Sequence, residues 1–452
     1  MKFTTALIDE LKAIAGKSGL VRVTPDSRIV EIAPTTEDGV AQTLKLASRE
    51  RIVVRTRIFP FGAEESPPNA YRTIQLGVSK IEGIVNHSVS DFVVTVRTGT
   101  KLKALQEALA PSGQWLPVDP PAESSMTIGE VIAKNEFGPR RTGYGSIRDY
   151  LLGARIVTPA GTIIKTGGAV VKAATGYDFH KLQIGALETL GVGLEFTLRL
   201  RARPAANVTV ISQCASRGDA VEKALRVRDL IDSPAALFVI SNLITKNDAA
   251  ATLAVRYEGA EGAVDLAATR LAPVMGSARP DALEAEKLLM EAREAGLDPG
   301  FRTGGRAPIS LRLSCRPSKM LVTIHTMAVA LERYNFPVSL CAHPALGIAD
   351  LWIPFKDGVD PRAVLLDARD TAARAGSGIV KLRRPFEIFG GEPAENATKT
   401  PALIVMERLK NEFDPHHLLN PGLLPFPSRA GEFEPDVPVA EPAAPPAAPA
   451  KH

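Results

Sequence analysis

Glycines crowd the stretch from Thr127 to Gly193 in three segments. The first is Thr127-Ile128-Gly129. The second is Gly138-Pro139-Arg140-Arg141-Thr142-Gly143-Tyr144-Gly145-Ser146-Ile147-Arg148-Asp149. The third, GGAVVKAATGYDFHKLQIGALETLG, runs from Gly167 to Gly191. Taken singly, each glycine marks a turn. Together they leave several backbone N–H groups open to close approach by an anion such as a dinucleotide pyrophosphate, where a Cβ would hold the backbone away. No Gly-x-Gly-x-x-Gly follows the first strand-like runs, so the Rossmann fingerprint is missing.

Other side chains suit substrate chemistry. Arg140, Arg141 and Arg148 have the forked geometry that clamps a carboxylate or a phosphate. Surface salt bridging is the competing reading, and for Arg148 the more usual one. His343 is a candidate base in Cys341-Ala342-His343-Pro344-Ala345-Leu346-Gly347, although a lone histidine beside a strand, like His180 in GYDFHKL, is more often structural. His416-His417 read as a solvated turn. Cys214, Cys315 and Cys341 are far apart and form no Cys-x-x-Cys, so no zinc or iron–sulfur site is expected. No catalytic residue is assigned by these patterns.

The elements that must position these groups alternate between strand and helix. RIVVRTRIF (51–59) and FVVTV (92–96) are β-branched strand runs, and 101–110 places Leu102, Leu105 and Leu109 on one helical face. LGARIVTPAGTIIKT (152–166) reads as a hairpin turning at Pro159-Ala160-Gly161, and GLEFTLRL (193–200) as a further strand. After Pro204 the pattern restarts. Strands at 208–211, 237–240 and 253–257 surround a helix at 218–231. Strands at 309–315, 338–341 and 350–353 surround a helix at 320–334. Two strand–helix–strand–strand units imply a ferredoxin-like split sheet. The fold class is α+β, with a first domain over 1–204, a second over 205–427, and a disordered Pro/Ala-rich tail over 428–452.

At 452 residues the chain exceeds what one core usually serves. With 54 basic against 50 acidic residues, no basic block and only 5 % aromatics, nucleic acid is not an expected partner. The opening MKFTTALIDELKAIAG reads as an amphipathic helix rather than a signal peptide. No apolar run approaches the roughly 20 residues that span a bilayer. A cytoplasmic location with at most peripheral membrane association follows as the expectation.

The glycine segments resemble the flavin-holding parts of the vanillyl-alcohol-oxidase-type (PCMH-type) FAD-binding flavoproteins, nearest to the E-type subunit of bacterial glycolate oxidase. The matching positions are Thr127-Ile128-Gly129, the Gly138–Asp149 segment, and Lys172, Gly176, Tyr177, Asp178, Lys181 and Leu182 with Gly185 and Leu190-Gly191. Gln114-Trp115-Leu116-Pro117-Val118-Asp119-Pro120-Pro121 matches the E-type subunit. Phe413-Asp414-Pro415 with Leu419-Asn420-Pro421-Gly422 resembles the family's chain-terminal signature. The likeness is strong over about 20–204, weak over 205–410 and returns at 413–422. It implies a two-part PCMH-type FAD-binding domain followed by a ferredoxin-like substrate or cap domain. By the same resemblance, Thr127, Ile128 and Gly129 with the helix after them face the pyrophosphate. Gly138, Arg140, Gly145 and Ser146 lie along the ribityl chain and ring, Gly176 and Tyr177 belong to the segment that closes the site, and Leu190, Gly191 and Val192 lie near the adenine end. The FAD is non-covalent, since no histidine sits in the Arg57–Glu65 loop. The implied partners are the D-type flavoprotein and iron–sulfur subunits of a glycolate-oxidase-like complex.

Three departures from the family point one way. Its glycine-rich loop is here Arg57-Ile58-Phe59-Pro60-Phe61-Gly62-Ala63-Glu64-Glu65, and Glu130 and Glu188 stand where relatives have glycine. At an effective dielectric of about 20, two unit charges about 4 Å apart repel by on the order of 4 kcal/mol. Carboxylates turned inward therefore oppose a pyrophosphate, whereas carboxylates turned outward, or Glu130 as a first-turn helix acid, do not. Two functions follow. One is an FAD-binding oxidoreductase subunit that acts on a small 2-hydroxy acid or relays its electrons. The other is a degenerate, non-catalytic structural or regulatory subunit that has lost tight FAD binding. The His-x-Gly-Asp-Gly-Asn motif of D-type hydroxy-acid dehydrogenases is missing.

Overall fold

The computed structural model describes residues 2–57, 72–168, 178–230, 233–241, 251–276, 282–294, 309–332, 339–353, 360–375, 379–382 and 401–424. Glu64, Glu65, Lys172, Gly176, Tyr177 and the 428–452 tail lie outside the described residues.

The first unit has two parts. Helix α1 (Thr5–Ala15) starts at Thr4, whose hydroxyl accepts from the Leu7 amide, and buries Leu7, Leu11 and Ala15, four residues apart on one face. Strands β1 (Leu20–Val23) and β2 (Ile29–Ala33) pair antiparallel. Helix α2 (Glu37–Arg49) then crosses over to β3 (Val53–Thr56), and β4 (Thr73–Leu76) inserts between β2 and β3, parallel to both. The core between this sheet and the two helices holds Leu11, Val30, Ile32, Leu44, Val54 and Ile74.

The second part is an antiparallel five-stranded sheet in the order β5-β6-β10-β8-β9. Its members are β5 (Ile84–Ser88), β6 (Val93–Arg97), β8 (Leu151–Val157), β9 (Ile163–Gly167) and β10 (Val192–Arg199), while β7 (Gln114–Trp115) pairs with β11 (Arg201–Ala202) alongside. Helices α3 (Leu102–Leu109) and α4 (Ile128–Lys134) and the single turn α5 (Arg141–Tyr144) fall between β6 and β8. The β8–β9 hairpin turns where Pro159-Ala160-Gly161 predicts, with Gly161 at φ +81°. Leu102, Leu105 and Leu109 are fully buried with Ile128, Val131 and Ile132 against this sheet.

The second unit is one antiparallel seven-stranded sheet in the order β12-β14-β13-β16-β17-β15-β18. Strands β12 (Ala206–Cys214), β13 (Ala236–Ser241) and β14 (Ala251–Gly259) enclose α6 (Arg217–Arg228), followed by α7 (Glu261–Met275) and α8 (Ala282–Glu294). Strands β15 (Ile309–Ser314), β16 (Ser339–His343) and β17 (Ile348–Ile353) enclose α9 (Met320–Glu332), followed by α10 (Pro361–Arg374) and β18 (Ile379–Leu382). The second repeat is therefore a complete ferredoxin-like unit, its strands ordered fourth-first-third-second. The first repeat ends in α8 where a fourth strand would come. The repeats join through their equivalent strands β13 and β16, with Val239 opposite Ala342 and Ile240 opposite Cys341. Helices α6, α7, α9 and α10 cover one face of the sheet. On the other, Leu289 and Ala292 of α8 pack on Phe238, Cys341 and Trp352.

After α11 (Pro401–Phe413) the chain returns to the first unit. Val54 donates its amide to the Leu418 carbonyl, and Asn420 donates its amide to the Val54 carbonyl, each at 2.8 Å. Lys410 is buried, and its ammonium donates to the carbonyls of Thr189 and Leu419 (both 2.8 Å) and to Asp414 (2.6 Å). Asp414 also accepts the amides of Leu418 and Leu419. His417, expected in a solvated turn, is instead buried and bonded to Asn411 Oδ1 at 2.7 Å.

Candidate cofactor cavity and the domain interface

A cavity of about 240 Å³ opens at the carboxyl ends of the parallel strands β2, β4 and β3. Ile32 and Ala33 close β2, Gly77 and Val78 follow β4, and Arg57 follows β3. The facing wall comes from the antiparallel part, with Thr98 just after β6, Thr127, Gly129 and Glu130 at the start of α4, and Glu188 in the loop before β10. Sites in α/β sheets gather at such strand ends because the chain leaves each strand there and frees its loop for a ligand.

The start of α4 is occupied by the chain itself. The Ile128 amide donates to Thr100 O and the Gly129 amide to Thr98 O, both at 2.9 Å. Thr127 Oγ1 accepts the Glu130 amide at 3.2 Å, and Glu130 Oε2 accepts the Thr127 amide at 2.8 Å, a reciprocal capping box. Glu130 has thus turned its carboxylate back on its own helix. Gly129 has no room for a side chain, since a Cβ would lie 2.1 Å from Thr98 Oγ1.

Glu188 behaves differently. It is 4 % exposed, and its Oε2 has no hydrogen-bond partner. Burial pushes its carboxyl up to about 7, against the Thr56 hydroxyl, with the Glu130 charge adding to the rise and the Gly193 amide and Lys134 opposing it. Leu187 and Glu188 both have left-handed backbones, φ +53° and +51°. That conformation costs an L-residue roughly 1–2 kcal/mol. The turn is held from two sides. Leu187 donates its amide to Ala133 O at 2.9 Å. Asn420 Nδ2 donates to the carbonyls of Leu187 (2.9 Å) and Glu188 (3.3 Å), while Asn420 Oδ1 accepts the Thr56 amide at 2.8 Å.

The family-implied residues separate into two groups. Thr127 and Gly129 line the cavity, Ile128 is buried beneath it, and Leu190, Gly191 and Val192 continue from Glu188 into β10. Gly138, Arg140, Gly145 and Ser146 stand apart, on the way to the second unit. A Cβ on Gly138 would lie 2.0 Å from Asp119 O, and Ser146 donates its amide to Asp149 Oδ2.

Arg140 crosses to the second unit. Its Nε and Nη2 reach Glu258 Oε1 at 3.0 and 2.9 Å, and its guanidinium lies 5.4 Å over the Trp115 ring. Tyr144 Oη and Arg256 Nε donate to the same carboxylate at 2.9 and 2.6 Å. Burial pushes Glu258 up, but Arg140 and Arg256 more than offset it and hold it below its ordinary value. Asp119, fully buried, is pushed up to about 7 by that burial in spite of Arg140.

The neighbouring Arg141 makes no ion pair among the described residues. Its guanidinium stacks 4.2 Å over the Phe137 ring, and that of Arg312 lies 4.3 Å from the same ring. Arg312 is matched by Asp350 at 2.7 and 2.9 Å. Burial and then the Arg312 charge hold Arg141 below its ordinary value. The buried His343, at the end of β16, meets Phe137 edge-on at 5.9 Å. His180 is buried and held below its ordinary value by that burial, and Arg148 is exposed. Among the described residues no three His, Cys, Asp or Glu side chains could hold a metal, and no helix is long and apolar enough to cross a membrane.

A parallel-stranded part, an antiparallel part and a double ferredoxin-like sheet, with a cavity between the first two, define a PCMH-type FAD-binding flavoprotein. Residues 29–167 match the FAD binding domain family. The chain is 36 % identical over 186 residues to glycolate oxidase subunit GlcE of Escherichia coli K12, covering 41 % of this chain and 50 % of GlcE. It is 27 % identical over 431 residues to an uncharacterized FAD-linked oxidoreductase of Mycobacterium tuberculosis, covering 86 % and 89 % of the two chains. A solved alkyldihydroxyacetonephosphate synthase shares the fold, with a TM-score of 0.62 at 15 % identity over 89 % of this chain and 76 % of that one. The match to GlcE thus spans only half the length of that relative. Residues 29–167 thus form an FAD-binding domain, the chain is related in sequence to GlcE, and FAD is the cofactor.

The cavity residues fit the polar middle of that cofactor on one condition. Thr98 Oγ1 and Glu188 Oε2 are buried polar atoms without partners among the described residues, as expected of groups waiting for a ligand. Arg57 and Lys80 supply positive charge at the rim. A pyrophosphate beside Glu188 requires that carboxyl to be neutral, because Glu31 and Glu130 line the same cavity.

Proposed function

We propose that this chain is the FAD-binding subunit of a glycolate-oxidase-like complex, working with a D-type flavoprotein and an iron–sulfur subunit, and acting on a small 2-hydroxy acid or relaying its electrons. The observation that carries the reading is Arg141, a guanidinium without an ion-pair partner among the described residues, held over Phe137 where the two units meet. The half-buried guanidinium has no counter-ion among the described residues, and an anion would complete it. Its planar fork matches a carboxylate. GlcE, the relative that shares 36 % identity, is named as a subunit of an oxidase of one such acid.

The flavin, when bound, supplies the hydride acceptor for oxidation of the hydroxyl-bearing carbon. The chain's own part is to bind and orient. Arg141 would hold the acid's carboxylate. Arg312, committed to Asp350, keeps the site positive without competing for the substrate. The imidazole of His343, 5.9 Å from the same Phe137 ring, would be the candidate to take a hydroxyl proton.

The carboxyls of Glu130 and Glu188 at the cavity favour a second reading, a non-catalytic subunit that has lost tight FAD binding. An absorbance spectrum before and after incubation with FAD and desalting separates the two. Twin flavin bands near one-to-one stoichiometry, bleached by a short 2-hydroxy acid in the presence of the partner subunits, are the expected result. A protein that stays colourless, alone and with its partners, overturns the first reading.

A further inference from the structure

We propose that Glu188 contacts the cofactor's pyrophosphate as a neutral carboxylic acid, donating a hydrogen bond to it, so that at alkaline pH each FAD bound brings one proton with it. This rests on the FAD site described above.

The geometry argues for a working side chain at 188. A glycine would take the left-handed backbone there without strain, yet the chain keeps a glutamate at φ +51° and spends the Asn420 amide on holding that turn. Strain retained against the local preference, at a residue facing a cavity, points to function. The side chain is buried, and Oε2 is unpartnered, where a protonated oxygen has a donor to offer. The surrounding helix start has none to spare. The amides of Ile128 and Gly129 already serve Thr100 and Thr98, and the Glu130 amide serves Thr127. A donor for a phosphate oxygen on this wall must come from side chains, and Thr98 Oγ1 and Glu188 are the two buried ones without partners.

The charges around Glu188 keep that proton in place. On α4, Glu130 raises the affinity for a proton and Lys134 lowers it. On β2, Glu31 is taken up by Arg57 and Arg22. Lys80, after β4, donates to Ser18 O. From α11, the Lys410 ammonium is matched by Asp414. On β10, Glu195 is matched by Arg155. The carboxyl of the free protein titrates near 7, and a bound pyrophosphate pushes it higher still. Below about 7 the proton is already present and binding costs nothing extra. Above it, each unit of pH weakens FAD binding about tenfold until the pKa of the complex is reached.

FAD binding to the full chain stripped of flavin tests this, by calorimetry at about pH 6 and about pH 8.5 in two buffers of different ionisation enthalpy. Expected are at least about tenfold weaker binding at the higher pH and uptake of close to one proton there. Glu188→Gln and Glu188→Gly, checked for unchanged thermal unfolding, should bind FAD with no proton uptake and little pH dependence. Wild-type binding that is equal at both pH values, or that depends on pH equally in Glu188→Gln, overturns the proposal and leaves the FAD site standing. Binding by Glu188→Gly but not by wild type at either pH also overturns it, since the carboxyl then only excludes the cofactor. No FAD bound by wild type or either variant overturns the FAD site itself, and the proposal with it.

Discussion

Arg140 in the first unit and Glu258 on β14 of the second are joined by a hydrogen bond of 3.0 Å and an ion-pair contact of 2.9 Å, in a setting where the glutamate side chain is almost wholly buried. The pair locks the unit that bears the FAD cavity to the sheet beside it. Arg256 and Tyr144 complete the same carboxylate, so four side chains from α5 with its cap and from β14 meet at one charge.

Removing that charge should be costly. Glu258→Gln leaves Arg256 only Glu286, at 2.8 Å, and Arg140 only Asp119, at 4.0 Å, and the loss of the shared buried carboxylate should cost up to about 3 kcal/mol of stability. Urea unfolding should show a lower midpoint. Arg140→Ala, which leaves Arg256 still paired, should cost less than Glu258→Gln. The reverse order would mean that Arg256 and Tyr144 do not share the carboxylate.

Asn420 ties three segments together through one side chain. Asn420→Ala removes its bonds to Thr56, Leu187 and Glu188. At a net of about 1 kcal/mol for each of these four bonds, it should cost on the order of 4 kcal/mol. Because the same bonds hold the left-handed turn, FAD affinity should fall too. Equal FAD affinity in Asn420→Ala and wild type would show that the turn holds its shape without the chain end.

The parts of this arrangement differ in how far the sequence discloses them. The β8–β9 hairpin and the two strand–helix–strand–strand repeats follow from local periodicity and turn chemistry, and the structure contains them. The replacement of the first repeat's fourth strand by α8 does not follow, because only the join between β13 and β16 decides which edge of that repeat remains. Arg140 is as suited to a ligand as to a salt bridge when read locally. Its partner Glu258 lies 118 residues onward, with nothing nearby in sequence to mark it. Glu130 and Glu188 look alike as acids in place of glycine, but their backbones separate them. One begins a helix that its own carboxylate caps, and the other sits in a turn that Asn420 clamps with the side chain inward.

The buried Glu188 should also mark the stability of the protein before any cofactor binds. Its folded pKa, about 7, lies above the ordinary 4.5, so the folded state holds a proton that the unfolded chain releases between those values. The associated stability is complete below about 4.5 and is lost as pH rises through about 7. The size of the displacement makes the loss on the order of 2–3 kcal/mol by about pH 8. Denaturant unfolding across this range should show the decline in wild type and a flatter profile in Glu188→Gln. Parallel profiles would place the titration on another group, with the equally buried Asp119 the first to examine.

Arg141 gives the sharpest division between binding a substrate and merely stabilising the fold. Its guanidinium has no ion-pair partner to lose, so Arg141→Lys should change stability by no more than about 0.5 kcal/mol, as for a substitution outside any packed charge network. A lysine keeps the positive charge but not the planar fork, and its ammonium stacks less well on Phe137. If Arg141 holds the acid's carboxylate, KM for a short 2-hydroxy acid in the assembled complex should rise about tenfold or more. Flavin content should stay unchanged, because Arg141 does not line the cavity. Unchanged KM together with unchanged flavin would assign substrate binding to the partner subunit and leave this chain the relay. A loss of flavin with no change in KM would show that the ring of the cofactor, and not a substrate carboxylate, is what Arg141 faces.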